Sequence, residues 1–170
     1  ITNFYRAIRE AAGDDTVLIG CATISHLSAG LVELGRTGAD VNGMSWDITR
    51  RMGVNTLAFR MMQHGAFYDV DADCVGITGE IPWAQVGLWL DILSRSGTPL
   101  FVSCKPGILT DAQLAELREA YARNSVQRDK LIPLDWMENI CPERWLLNGR
   151  EIHYDWFADD VSVMFAGKSL

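Results

Sequence analysis

The sequence predicts an α/β fold in which parallel strands alternate with helices packed outside them, followed by a separate β element. Three observations carry this expectation. Short apolar runs alternate with segments of helical periodicity through residues 1–132, the mark of a parallel sheet whose crossovers are helices. The strand-like runs are apolar on both faces, as strands covered on both sides must be. After Pro133 the pattern changes to short strands flanking Asn148-Gly149, a dipeptide suited to a type I′ hairpin turn.

In chain order, residues 4–12 set Phe4, Ile8, Ala11 and Ala12 on one helical face, with Gly13 as the stop. Residues 16–21, β-branched and apolar almost throughout, form the first predicted strand. A short helix over 25–34, a brief strand at 40–41 and a longer helix over 46–62 follow, the last turning Ile48, Met52, Leu57 and Met61 to a core. Residues 74–77 and 100–104 read as further strands, separated by a helix that Pro82 opens and that ends near Ser94. Thr110 and Gln113 have capping-box spacing ahead of a helix expected to turn Leu114, Leu117 and Tyr121 inward. This makes four strand-helix units in residues 1–132, with residues 133–170 as a linker and hairpin that begin a β domain.

With 170 residues, 48% hydrophobic and 22% charged, the chain has the composition of a globular domain with a sizeable core. A net charge of -7 without any basic run argues against nucleic acid and anionic membrane surfaces as partners. Small neutral ligands suit such a surface better. No apolar run approaches the roughly 20 residues of a membrane-spanning helix, and no signal peptide is visible after Ile1. Cys21, Cys74, Cys104 and Cys141 lie far apart, the first three in or beside apolar runs. They are expected to be buried free thiols in a reducing, cytoplasmic setting, with no metal or other cofactor.

The richest stretch is Gly35-Arg36-Thr37-Gly38-Ala39-Asp40-Val41, followed by Trp46. It sets a guanidinium and a carboxyl four residues apart where a strand should end. Partial burial beside aromatic walls would keep the Asp40 carboxyl protonated, the requirement for a general acid. Arg36 offers a planar fork of donors for sugar hydroxyls or a second carboxylate, while its charge would lower the Asp40 pKa on contact. An ordinary surface ion pair is the plainer reading of the same spacing.

These residues resemble the retaining alpha-galactosidase-like enzymes of glycoside hydrolase families 27 and 36. Gly20-Cys21 is similar to the end of the family's fifth barrel strand, and Arg36, Asp40 and Trp46 match its Arg-x-x-x-Asp and following Trp. Val70-Asp71-Ala72-Asp73-Cys74 looks like an Asn-Asp-Pro-Asp element that has kept both acids and lost the Asn and Pro. The stretch from Pro133 is similar to the passage into the family's C-terminal β-sandwich.

The resemblance implies the C-terminal half, about four β/α units, of a (β/α)8 TIM-type barrel, with active-site groups at the carboxyl ends of the strands. It implies Asp40 as acid/base, Arg36 as substrate clamp, and Cys21, Trp46, Asp71 and Asp73 as further substrate contacts. The family's nucleophile lies in a Lys-x-Asp type motif that this chain lacks, so that group would come from elsewhere. A whole barrel needs roughly 200–250 residues, and a half leaves strand edges open. The edges at 16–21 and 100–104 are therefore expected to be covered by another copy or by the missing half.

Other patterns compete for attention. Asp69, Asp71, Asp73 and Glu80 have the spacing of calcium-loop positions, but Cys74 stands where that loop needs glycine. A solvated acidic turn, or a sugar contact through Asp71, fits better. His26, His64 and His153 have no metal-like spacing and are expected to be structural. Among the tryptophans, Trp46 and Trp83 follow strand ends closely enough to stack on a sugar ring. Trp89 belongs to a helix stripe, Trp136, Trp145 and Trp156 are expected to pack the β element, and Ser103 and Lys105 should face a pocket mouth.

Overall fold

The computed structural model describes residues 1–127 and 130–158, so residues 159–170 of the predicted β domain lie outside the described residues. Helix α1 (Thr2–Ala12) leads into β1 (Ile19–Cys21), the single turn α2 (Ser25–Ser28) and β2 (Leu34–Arg36). A continuous helical stretch follows: α3 (Trp46–Ile48), a wider π-type segment (Thr49–Val54) and α4 (Asn55–Arg60). Strands β3 (Asp69–Asp71) and β4 (Val75–Ile77) precede α5 (Trp83–Arg95), β5 (Val102–Cys104) and α6 (Asp111–Val126). The chain then forms β6 (Ile132–Pro133), β7 (Arg144–Leu147) and β8 (Arg150–His153).

Alternation of strand and helix and parallel pairing are both found, but the predicted half of a (β/α)8 barrel is not. The parallel strands divide into a three-stranded sheet, β1-β2-β3, and a two-stranded sheet, β4-β5, and each strand is three residues long. The break falls at Asp73, whose φ of 72° turns the chain between β3 and β4. Three hydrogen bonds hold the turn: Asp73 N–H donates to Asp71 Oδ1 (2.8 Å), Cys74 N–H to Asp73 Oδ1 (2.8 Å), and Val41 N–H to Asp73 Oδ2 (2.7 Å). The strand expected at 74–77 is found as β4, and Asp69–Asp71, not expected as a strand, joins the other sheet.

The predicted strand at 40–41 is also replaced, because the ladder uses Leu34–Arg36 instead. Gly35 admits it there: the Tyr68 ring lies so close that a Cβ on Gly35 would sit 2.6 Å from Tyr68 Cε2. Residues 41–43 run beside β4 instead, with Cys74 Sγ donating to Val41 O (3.3 Å) and Thr78 Oγ1 to Gly43 O (2.6 Å).

Helix α1 forms as expected but does not bury its apolar face: Phe4 remains 65% exposed and Ile8 40%. Polar bonds anchor it instead, as Arg9 donates to Thr16 O (2.8 Å) and pairs with Glu33 (2.5 Å). The Thr110–Gln113 capping box closes the start of α6, yet Tyr121 is exposed and only Leu117 and Ala120 of that helix are buried. The hairpin forms with Asn148 and Gly149 both at positive φ, 51° and 74°, the type I′ requirement.

One apolar core joins α4, β4, α5 and the hairpin region, and contains Leu57, Val75, Trp89, Ile92, Trp145 and Trp156 among others. The indoles are oriented by hydrogen bonds: Trp46 Nε1 donates to Trp156 O (2.9 Å), and Trp145 and Trp156 both donate to Pro142 O. Trp89 packs against the π-type segment where Gly53 leaves room, a Cβ there meeting Trp89 Cη2 at 2.7 Å. Trp136 is exposed and rests edge-on against Phe59.

Candidate functional site at the carboxyl ends of the first sheet

Parallel registration sets the last residues of β1, β2 and β3 side by side, as Cys21 pairs with Arg36 and Arg36 with Asp71. The carboxyl edge of a parallel sheet is where α/β proteins place ligands, because the strands end together and the loops diverge. The row brings a thiol, a guanidinium and a carboxyl into adjacent positions.

Arg36 is the centre of the site. Its Nη2 pairs with Asp40 Oδ1 at 2.7 Å and its Nη1 with Asp73 Oδ2 at 3.2 Å. Burial works against its charge, but Asp73, Cys21 and Asp40 outweigh that and hold the guanidinium above its ordinary pKa. Its Nε is buried without a hydrogen-bond partner among the described residues, as is the Thr37 hydroxyl. Asp73 has a structural duty in addition: the same Oδ2 that meets Arg36 accepts the Val41 N–H. This fastens the 37–43 loop over the sheet end.

Asp71 is the most enclosed acid of the site, only 6% exposed. Burial pushes its pKa up, and the neighbouring Asp73 charge adds to this, while the Asp73 backbone N–H and Arg36 pull the other way. An acid whose folded pKa exceeds its unfolded value adds stability below the ordinary carboxylate range, and that contribution is lost as pH rises through the folded pKa. Asp71→Asn keeps the Oδ1 acceptor for Asp73 N–H and removes the charge. It is expected to raise the melting temperature relative to the parent at pH 8 and to give no gain at pH 3. A melting-temperature difference that does not depend on pH would contradict this.

Asp40 lies on the rim, its side chain 72% exposed and held by Arg36. Trp46, expected as an aromatic wall beside it, is 8% exposed and spends its indole N–H on Trp156 O. The structure thus brings together Cys21, Arg36, Asp40, Asp71 and Asp73, and leaves Trp46 in the core. The role of Asp73 as holder of both Arg36 and Val41 was missed in the sequence, where a carboxylate 32 residues from its backbone partner leaves no local signal.

The thiols differ from expectation: Cys21 and Cys104 are exposed, Cys74 is half-buried and Cys141 alone is buried. Burial, reinforced at Cys74 by the Asp73 charge, raises the thiols of Cys74 and Cys141 to about 11. No group of three or more His, Cys, Asp or Glu side chains that could hold a metal ion occurs among the described residues. In the calcium-like stretch, β4 runs where the loop would have to turn. His64 is structural, with Nδ1 accepting from Val70 N–H (3.1 Å) and burial lowering its pKa. His26 and His153 are exposed, as are Ser103 and Lys105. No helix is long and apolar enough to cross a membrane among the described residues. No protein-family model matches the chain, and no curated protein matches it at a significant level.

Proposed function

We propose that this chain supplies the acid/base side of a retaining glycoside hydrolase site for terminal alpha-linked galactose-like sugars, with the nucleophile outside the chain. The observation behind the reading is the row Cys21, Arg36 and Asp71 with Asp40 bound to Arg36 at 2.7 Å. In such a mechanism one carboxyl protonates the departing glycosidic oxygen while a second, about 5–5.5 Å away, attacks the anomeric carbon. Asp40 is the donor, Arg36 and Asp71 hold hydroxyls, and Asp73 keeps Arg36 in place. A donor must be protonated at the moment of bond cleavage, and the Asp40 side chain is 72% exposed. The sugar and the protein carrying the nucleophile must therefore close over Asp40 and exclude water.

The outer edges of β1 and β5 carry no further strand among the described residues, and open edges are templates for pairing. They are where another copy or the nucleophile-bearing protein would dock. Light scattering is expected to show a species larger than the monomer.

The exposure of Asp40 favours a second reading, a noncatalytic carbohydrate-binding or assembly module. A solvated, ion-paired carboxylate accepts hydroxyl hydrogen bonds well without having to yield a proton. Nitrophenyl-galactoside turnover separates the two. The chain alone is expected to be inactive or nearly so, and addition of the nucleophile-bearing partner to yield a rate that Asp40→Asn lowers by about 100-fold or more. Galactose binding without turnover would move the assignment to the second reading, and neither binding nor turnover would end both.

A further inference from the structure

A second concavity lies beyond the carboxyl ends of β4 and β5, apart from the Arg36 row. Its volume is about 240 Å³, and its walls include Ile77, Ile81, Val86, Ile108 and Leu109, with Trp83 beside them. A closed cavity of about 150 Å³ lined by aliphatic and aromatic side chains suffices for benzene. This one has room for a six-membered ring with a substituent, in the place where parallel sheets hold ligands.

Polar atoms make up about half of its exposed lining, and Gln113 is the one amide side chain among the lining residues. Gln113 belongs to the wall, and its Oε1 is committed to the Thr110 N–H at 2.8 Å in the capping box. That bond fixes the amide and leaves Nε2 as an uncommitted donor among the described residues. The Trp83 indole is oriented in turn by its N–H donating to Glu116 Oε2 at 3.0 Å. Gly79, at φ 94° and with no atom within 4 Å of a Cβ position, leaves the wall open at that point. Mostly apolar side chains, an oriented indole and one fixed side-chain donor match a flat ring bearing an acceptor on its edge.

The geometry points to a binding site here for a monocyclic aromatic group carrying one hydrogen-bond acceptor on its edge, recognised by Trp83 and by Gln113 Nε2. The site is independent of the sugar reading, since none of the residues of the Arg36 row lines it.

Acetophenone, which carries a carbonyl acceptor, and toluene, which does not, test the site by NMR titration of the whole chain. Trp83→Phe assigns the Trp83 indole signal. Both rings are expected to shift that signal and the amides of Gly79, Ile108 and Leu109 saturably, and to leave Cys21, Arg36 and Asp71 unmoved. Gln113→Glu preserves the Oε1 acceptor of the capping box and removes the donor, so it should weaken acetophenone about tenfold and leave toluene unchanged. Ile108→Trp, which fills the space, should abolish both. No saturable shift at Trp83, shifts confined to the Arg36 row, or equal loss of both rings in Gln113→Glu would overturn the proposal.

Discussion

Replacing Trp156 with alanine is expected to cost about 3–5 kcal/mol of unfolding free energy, the range for emptying a buried aromatic site. Trp156 is fully buried, stacks on Tyr154 with ring centroids 4.8 Å apart, and donates its indole N–H to Pro142 O at 2.6 Å. Its carbonyl accepts the Trp46 indole N–H, so it joins the hairpin region to the start of the long helical stretch. Loss of the ring leaves a cavity beside the Tyr154 and Trp46 rings and leaves Pro142 O with the Trp145 indole as its donor. Trp156→Phe keeps a stacking ring without the donor and should lose less. Urea denaturation followed by far-ultraviolet circular dichroism measures both. A loss below about 1 kcal/mol for the alanine variant would mean that the core collapses into the space.

The second large effect is expected at Gly76, where two backbone segments meet without side chains between them. A Cβ on Gly76 would lie 2.5 Å from Gly43 N and 2.6 Å from Gly43 Cα. Gly43 has a φ of 72° and its carbonyl is held by Thr78 Oγ1, so neither strand can yield by rotating a side chain. Gly76→Val should therefore cost about 3 kcal/mol, the upper end of ordinary overpacking. It should also push residues 41–43 away from β4 and weaken the Val41–Asp73 bond. An unchanged urea midpoint, or a folded variant whose Val41 amide shift is unaltered, would contradict the close approach.

Much of the local structure was legible in the sequence because its causes are local. The capping box at Thr110 and Gln113, the Asn148-Gly149 turn and the helix read over residues 4–12, found at Thr2–Ala12, follow from side-chain bonds, positive φ and periodicity within a few residues. The pairing of Arg36 with Asp40 was likewise visible, being an i, i+4 contact.

The breakup of the sheet was not legible for the opposite reason. Residues 74–77 read as a strand after an acidic turn, and nothing nearby marks Asp69–Asp71 as a strand of another sheet, parted from β4 by a left-handed Asp73. Its conformation is held by Val41 and Arg36, which come from another part of the chain. The second strand was expected at 40–41, after a helix over 25–34, but the ladder strand is Leu34–Arg36. It became a strand because a glycine there accepts the Tyr68 ring.

By itself, the sequence determined an acidic chain of alternating strands and helices, a capped final helix, a hairpin, and a guanidinium and carboxyl close enough to pair. Tertiary structure alone decided that the parallel strands part into two sheets, that Asp71 is enclosed while Asp40 faces solvent, and that Trp46 serves the core. The physical reason is range. Periodicity and capping are settled within one or two turns of chain, whereas burial and strand pairing depend on residues tens of positions away.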